Sequence, residues 1–303
     1  MTEDSLEKVL PLRLLALPTA KVWGGGKLCV GYGKPMPEVP DPESSDGEIR
    51  LGETLELVSC GGVSNIIDGG RFDGMTLSEY LRAEEGSDGE LPVIVKYIDA
   101  GDALSVQVHP GKTELWYIAE ADDGAEIIYG FEEAAEHGGF DRDGFIRAAR
   151  DGSVEKLLHR IPVKAGEFYM IPSGLVHALG GGIVVLEFQQ SDAVTLRVWD
   201  RGRDRPVQTE EAADTVERLG VYKLHDGIAE PGLTECEYFS VKKYSADGKL
   251  SVTAENGMLF ISCAGGSGTI CGAKIEKGDS FLLPEGCSAN IAGRDLTILT
   301  MSW

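Results

Sequence analysis

The sequence is poor in positive charge. Its 303 residues hold 28 Lys and Arg against 50 Asp and Glu, a formal charge of −22 at pH 7. So acidic a surface repels a phosphate backbone, which argues against nucleic acid as a partner. A small anionic substrate stays compatible, provided one pocket gathers a few of the scarce cations. The six cysteines (Cys29, Cys60, Cys236, Cys263, Cys271 and Cys287) form no C-x-x-C pair and no dense framework. Reduced thiols in a cytoplasmic protein are therefore expected, with a disulfide among the last four left open. No run approaches the ~18 apolar residues that span a membrane. The acidic start Met1-Thr2-Glu3-Asp4 lacks the apolar core of a secretory signal.

Long helical patterns are also few, and 40 glycines punctuate the chain. Short strands joined by turns are the expectation, with enough apolar residues for a buried core and two domains. Leu51–Ser59, Leu91–Ala100, Leu104–His109, Pro162–Ile171, Gly182–Gln190 and Ala193–Asp200 read as strands. Thr76–Glu84 reads as a short helix, and Gln208–Arg218 as a helix or linker. Between Glu132 and Arg160, Phe145, Ile146, Ala149, Leu157 and Leu158 fall at helical spacings, which predicts a small helical insert. The acidic, Pro-rich stretch from Pro35 to Gly47 reads as an exposed loop. Lys21-Val22-Trp23-Gly24-Gly25-Gly26-Lys27 lacks the spacing and following helix of a phosphate-cradling loop.

Chemistry concentrates in two stretches, Gln107-Val108-His109-x4-Glu114 and Gly166-x5-Pro172-x-Gly174-x2-His177. Together they supply an amide oxygen, a carboxylate and two imidazoles, a four-ligand set for a divalent metal. Composition alone gives about 0.004 occurrences of the second pattern in a chain of this length. In Leu104–His109, Val106 and Val108 alternate with Ser105, Gln107 and His109, so the last three should share one face of a strand. His137, His159 and His225 have no partner at ligand spacing and read as packed or solvated histidines. Both spacings resemble the paired motifs of the cupins, with Gln107 where the first motif usually carries a His.

The last third repeats part of this in degraded form. Lys164-Ala165-Gly166-Glu167-Phe168-Tyr169-Met170-Ile171-Pro172-Ser173-Gly174 is echoed by Glu276-Lys277-Gly278-Asp279-Ser280-Phe281-Leu282-Leu283-Pro284-Glu285-Gly286, and Ala289 stands where His177 would be. The expected fold is mainly β. Residues 1–215 form a cupin jelly-roll barrel carrying the insert at about 132–160, and residues 216–303 a second, degenerate cupin-like domain without metal ligands.

The chain resembles the type I mannose-6-phosphate isomerases (phosphomannose isomerases) in their short bacterial form. The resemblance runs through Val22-Trp23-Gly24-Gly25, Gly52-Glu53-x2-Glu56, Leu104–Pro110, Gly111-Lys112-Thr113-Glu114-x-Trp116-Tyr117, the His177 motif, Leu186-Glu187-x3-Ser191-Asp192 and Arg197-Val198-x-Asp200-x2-Arg203. It implies zinc held by Gln107, His109, Glu114 and His177, with iron or manganese also suited to these donors. It also implies an active-site arginine at Arg197, substrate-phosphate contacts from Lys96, Ser105 and Arg203, and Lys112 in the pocket. Glu187, Asp192 and Lys112 are candidates for moving the proton, with Glu187 or Lys112 preferred beside Arg197 in the catalytic set. The implied activity is interconversion of mannose 6-phosphate and fructose 6-phosphate. Another sugar phosphate, or a non-catalytic sugar-binding cupin, are the alternatives. Two departures stand out: the loop usually found between His109-Pro110 and Gly111-Lys112-Thr113-Glu114 is missing, and Leu55 replaces a Trp.

Overall fold

Alternation along a few strands builds the molecule. In Ile183–Gln190, Val184, Leu186 and Phe188 enter one apolar cluster, while Ile183 and Val185 enter another. Val93–Ala100 divides the same way, with Val95 and Tyr97 on one side and Ile98 and Ala100 on the other. Such strands are buried on both faces, which requires a layer on each side of their sheet.

The computed structural model describes residues 11–132, 140–191, 194–219 and 233–303. A six-stranded antiparallel sheet runs in the order Phe168–Ile171, Glu114–Ala121, Ile183–Gln190, Val93–Ala100, Leu17–Gly25, Leu51–Leu57. A five-stranded sheet faces it, ordered Leu158–Pro162, Glu126–Phe131, His177–Leu179, Val106–Val108, Leu196–Trp199. Their inner faces share one cluster, in which Ile98, Trp116, Ile118 and Val185 meet Ile127, Tyr129 and Leu179. This is the interior of the expected barrel. Helices Arg142–Asp151 and Thr209–Leu219 cover the outer face of the five-stranded sheet through Phe145, Ile146, Ala212 and Val216, packed with Val106, Val108 and Val198. Among the described residues the insert is the helix Arg142–Asp151 followed by a 3₁₀ turn, Val154–Leu157; residues 133–139 of it, with His137, lie outside the described residues, as does His225.

An eight-stranded sheet carries the C-terminal strands Leu233–Glu235, Ser240–Thr253, Leu259–Ile270, Ala273–Glu276, Ser280–Leu283 and Ser288–Ser302. It has its own apolar interior, including Ile261, Ile270, Phe281, Ala289 and Ile298. It also takes in Leu12–Leu15, paired with Ser280–Leu283, and Ile66–Asp68, paired with Leu12–Leu15. This sheet therefore draws strands from both sides of residue 215. Several expected strands are shorter than the sequence suggests. Pro162–Ile171 breaks at a turn where Gly166 has φ 95°, so two strands, ending at Pro162 and starting at Phe168, replace one. The helix at Leu77–Ala83 is capped by Thr76 and Glu79 in a reciprocal capping box. Among the described residues no helix is long and apolar enough to cross a membrane.

The C-terminal sheet meets the outer face of the six-stranded sheet through Phe188, Leu186 and Tyr97 against Phe260, Leu282 and Met301. A polar network crosses the same junction. Lys34 Nζ lies 2.6 Å from Glu56 Oε2 and donates to Gly278 O, while Ser280 Oγ and Thr54 Oγ1 donate to the Glu56 carboxylate at 2.7 and 2.6 Å. Both members of the ion pair are buried, so removing one strands the other's charge. Lys34→Met should lower the unfolding free energy by about 3–5 kcal/mol in urea titrations. Lys34→Met/Glu56→Leu should recover most of that loss; a double variant no better than the single one would contradict this account.

Candidate active site and metal centre

One row of neighbours across the five-stranded sheet carries half the site. His177 pairs with Gln107, and Gln107 pairs with Arg197 on its other side. Cross-strand partners point the same way, so all three side chains face the barrel interior. The facing sheet presents a second row. Glu187 is opposite Lys96 on one side and Trp116 on the other, and Gln189 is opposite Glu114. The period of two then places Glu53, Lys96, Glu114, Trp116, Glu187 and Gln189 on one face. Between the rows lies a cleft of about 250 Å³, whose walls include Lys96, Ser105, Gln107, Lys112, Glu114, Glu187 and Arg197.

Three of the four expected ligands form a cluster. Donor atoms of His109, Glu114 and His177 lie within 4.8 Å of one another. His109 Nε2 is 3.0 Å and His177 Nε2 3.9 Å from the Glu114 oxygens, and Gln107 Nε2 is 3.2 Å from His177 Nε2. These separations bracket the ~3.4 Å between ligands of one tetrahedral ion with bonds of ~2.1 Å. His177 Nδ1 donates to Leu175 O at 2.8 Å, which leaves the Nε2 lone pair turned to the cluster. Burial, with the neighbouring His109 adding to it, pushes His177 down to about 3, so its ring is neutral, as a ligand must be. Both ring nitrogens of His109 are buried without a well-aligned hydrogen bond, Nε2 despite lying 3.0 Å from Glu114 Oε1. A polar atom rarely goes unpaired at such depth, and a cation shared with Glu114 and His177 would satisfy it. The Gln107 amide can present its oxygen to the same point by a half-turn of its terminal group. The donor set therefore fits a metal ion.

Around the cluster the charges are finely opposed. Burial alone would raise Glu114, yet His109 and Lys112 hold it well below the usual carboxylate range. Burial and then the charge of Glu114 push Glu187 up to about 7, opposed by Lys96 and Lys112. Burial works against the Lys96 ammonium, but Glu187, Glu53 and Glu114 outweigh it and raise its pKa.

At the mouth, Arg197 is braced by Pro206 O at 2.6 Å and lies 3.5 Å from Glu43 Oε2. Arg203, expected as a phosphate contact, is not among the residues lining the cleft. Arg201 and Gly202 adopt left-handed conformations with φ 56° and 79°, turning the chain so that Arg203 bonds Asp200 and Ala103 O. Arg205 lines the cleft in its place, donating two hydrogen bonds to the Asp200 carboxylate at 2.7 and 2.6 Å. The stretch Pro35–Gly47 is also more than an exposed loop. Asp41 is buried, accepting from Val22 N and Glu43 N, and both Asp41 and Glu43 line the cleft. Asp192 lies outside the described residues. The sequence reading missed Arg205, Glu43, Glu53, Trp116 and Gln189; of these, Glu53 and Trp116 stood inside quoted motifs without an assigned role.

The chain is 31% identical to "Mannose-6-phosphate isomerase ManA" of Bacillus subtilis (strain 168) over 301 residues, 88% of this chain and 90% of that protein. It belongs to the mannose-6-phosphate isomerase family. A Streptococcus mutans member named mannose-6-phosphate isomerase is also 31% identical, over 90% of this chain and 92% of its own. The family model "Mannose-6-phosphate isomerase, cupin domain" matches residues 231–298. Among solved structures, the mannose 6-phosphate isomerase from Bacillus subtilis superposes with a TM-score of 0.80 at 26% identity, covering 97% of this chain and all of that one. A protein from Archaeoglobus fulgidus described as a putative mannosephosphate isomerase, at 17% identity and a TM-score of 0.74, shares the fold.

For this member of the family the geometry has a direct test. Metal-free protein titrated with zinc in a calorimeter should bind one equivalent, and Glu114→Ala or His177→Ala should weaken binding by more than about 100-fold, beyond the loss expected for a residue that only orients a ligand. Unchanged affinity in both variants would rule out this cluster.

Proposed function

We propose that the protein is a zinc-dependent aldose–ketose isomerase of the cytoplasm, interconverting mannose 6-phosphate and fructose 6-phosphate. The observation that carries the reading is the convergence of His109, Glu114 and His177 beside Glu187 and Arg197 within one cleft. Membership of the family supplies the substrate.

Gln107, His109, Glu114 and His177 would hold the metal, which when bound would supply Lewis-acid polarisation of the substrate's oxygens. Zinc suits two imidazoles with oxygen donors, as iron and manganese also do. The protein's own groups do the rest. Isomerisation takes a proton from C2 of the open-chain aldose as O1 gains one, passes through an enediol, and returns a proton to C1 as O2 gives one up. Glu187, with its pKa raised to about 7, is suited to take and return that proton near neutrality. Lys112, 2.9 Å from Glu114, places a cation beside the reacting centre. Arg197, held by Pro206 O, is a fixed cation for the negative charge that develops on the sugar oxygens. Lys96 and Ser105 face the cleft as substrate contacts, and Arg205 takes the place first assigned to Arg203.

The test is an isomerase assay on purified protein, stripped of metal by a chelator and then resupplied. Activity with mannose 6-phosphate should vanish and return, and Arg197→Ala should lower kcat by about 10²–10³-fold. Glu187→Gln should lower kcat by about 10²–10⁴-fold with zinc still bound. Turnover that ignores the chelator, or a better substrate among other sugar phosphates, would overturn the assignment.

A further inference from the structure

Six side chains on the floor of the cleft close a ring. Lys112 Nζ lies 2.9 Å from Glu114 Oε1 and donates to Gln189 Oε1 at 3.3 Å. The same Gln189 oxygen accepts from Lys96 Nζ at 3.0 Å, and Lys96 Nζ is 3.3 Å from Glu187 Oε1. Glu187 Oε2 accepts from Trp116 Nε1 at 3.0 Å, and that N–H also reaches Glu114 Oε2 at 3.2 Å, closing the circuit.

Like charges sit side by side in this ring, each pair separated by a neutral group of complementary sense. An acceptor, the Gln189 amide oxygen, stands between the two ammoniums. A donor, the Trp116 indole N–H, stands between the two carboxylates. Glu114, Trp116, Glu187 and Gln189 are each at most 4% exposed, so solvent cannot replace these bonds. Trp116 is locked in turn: its ring packs edge-on against His177 with centroids 5.4 Å apart, and its backbone lies between Tyr169 and Glu187 in the sheet. One oxygen of Glu114 is thus fixed by Lys112 and the other by Trp116, which sets the plane of the carboxylate before any cation arrives.

We propose that Trp116 is a positioning residue of the metal centre, its indole N–H holding the Glu114 carboxylate in the orientation in which it meets His109 and His177. The inference rests on the metal-site reading above and concerns how that site is preorganised. The residue's ring fills space, but its N–H does the orienting, and Phe separates the two roles. Tyr169→Phe, on the neighbouring strand, serves as the control, because it removes a hydroxyl that donates to Glu167 Oε2 and leaves every bond of the ring, including both of Trp116, in place.

The experiment is zinc affinity of the full chain, measured by competition with a chromophoric chelator. Trp116→Phe should bind zinc about 10- to 100-fold more weakly than the parent protein, and Tyr169→Phe within about threefold of it. Equal affinity in Trp116→Phe and the parent, or equal losses in both variants, would overturn the proposal. Failure of the parent protein to bind zinc would remove the metal site itself, a distinct result. Should Trp116→Phe not fold, the unaltered protein decides through ¹⁵N-labelled tryptophan. Of the four indole N–H resonances, that of Trp116 should shift on zinc addition; an unmoved signal would overturn the proposal.

Discussion

A carboxylate sealed 1% exposed inside a protein cannot stay ionised alone, and Glu114 is such a group. Its charge is held by Lys112 and His109 on one oxygen and by Trp116 on the other. Glu187, on the adjacent strand two residues from Glu114's partner Gln189, then feels burial and the charge of Glu114 together, which pushes its pKa up to about 7. Lys96 retains its charge because Glu187 and Glu53 surround it. The arrangement is mutual: each buried ion in the cleft is tolerated because its neighbours are there.

The fold supplies the balance through alternation. The six-stranded sheet is buried on both faces, apolar where it meets the C-terminal sheet and charged toward one end of the barrel. The C-terminal sheet is therefore a wall behind the site. It covers Val184, Leu186 and Phe188, the residues that interleave with Glu187 and Gln189 on the same strand. The Lys34–Glu56 pair and its hydroxyl and carbonyl partners fasten that wall. A loosened junction would let the strand shift, and a shift by one residue would exchange the two faces.

Much of this was legible in the sequence because strands repeat every two residues and ligand motifs have rigid spacing. Ser105, Gln107 and His109 alternate with Val106 and Val108, and the structure sends the valines to the outer helices and the polar side chains inward. The helical spacing of Phe145, Ile146 and Ala149 likewise became a helix. What escaped depends on register between distant segments. Nothing local to Gln189 announces that it will lie opposite Glu114, or that its oxygen will join two lysines 93 and 77 residues away. The run Asp200–Arg205 shows a similar limit. Two left-handed residues turn Arg203 outward and leave Arg205 at the cleft, and charge content alone does not encode that turn. Leu12–Leu15 joins a sheet whose other strands lie mostly beyond residue 232, a pairing that no local pattern carries.

The zinc-edge X-ray absorption spectrum of the metal-loaded protein tests the central claim most directly. Convergence of His109, Glu114 and His177 with Gln107 predicts one zinc in a shell of nitrogen and oxygen donors near 2.0–2.2 Å, with the scattering signature of two imidazoles. With six free thiols in the chain, a sulfur shell near 2.3 Å would place the metal elsewhere and contradict the account.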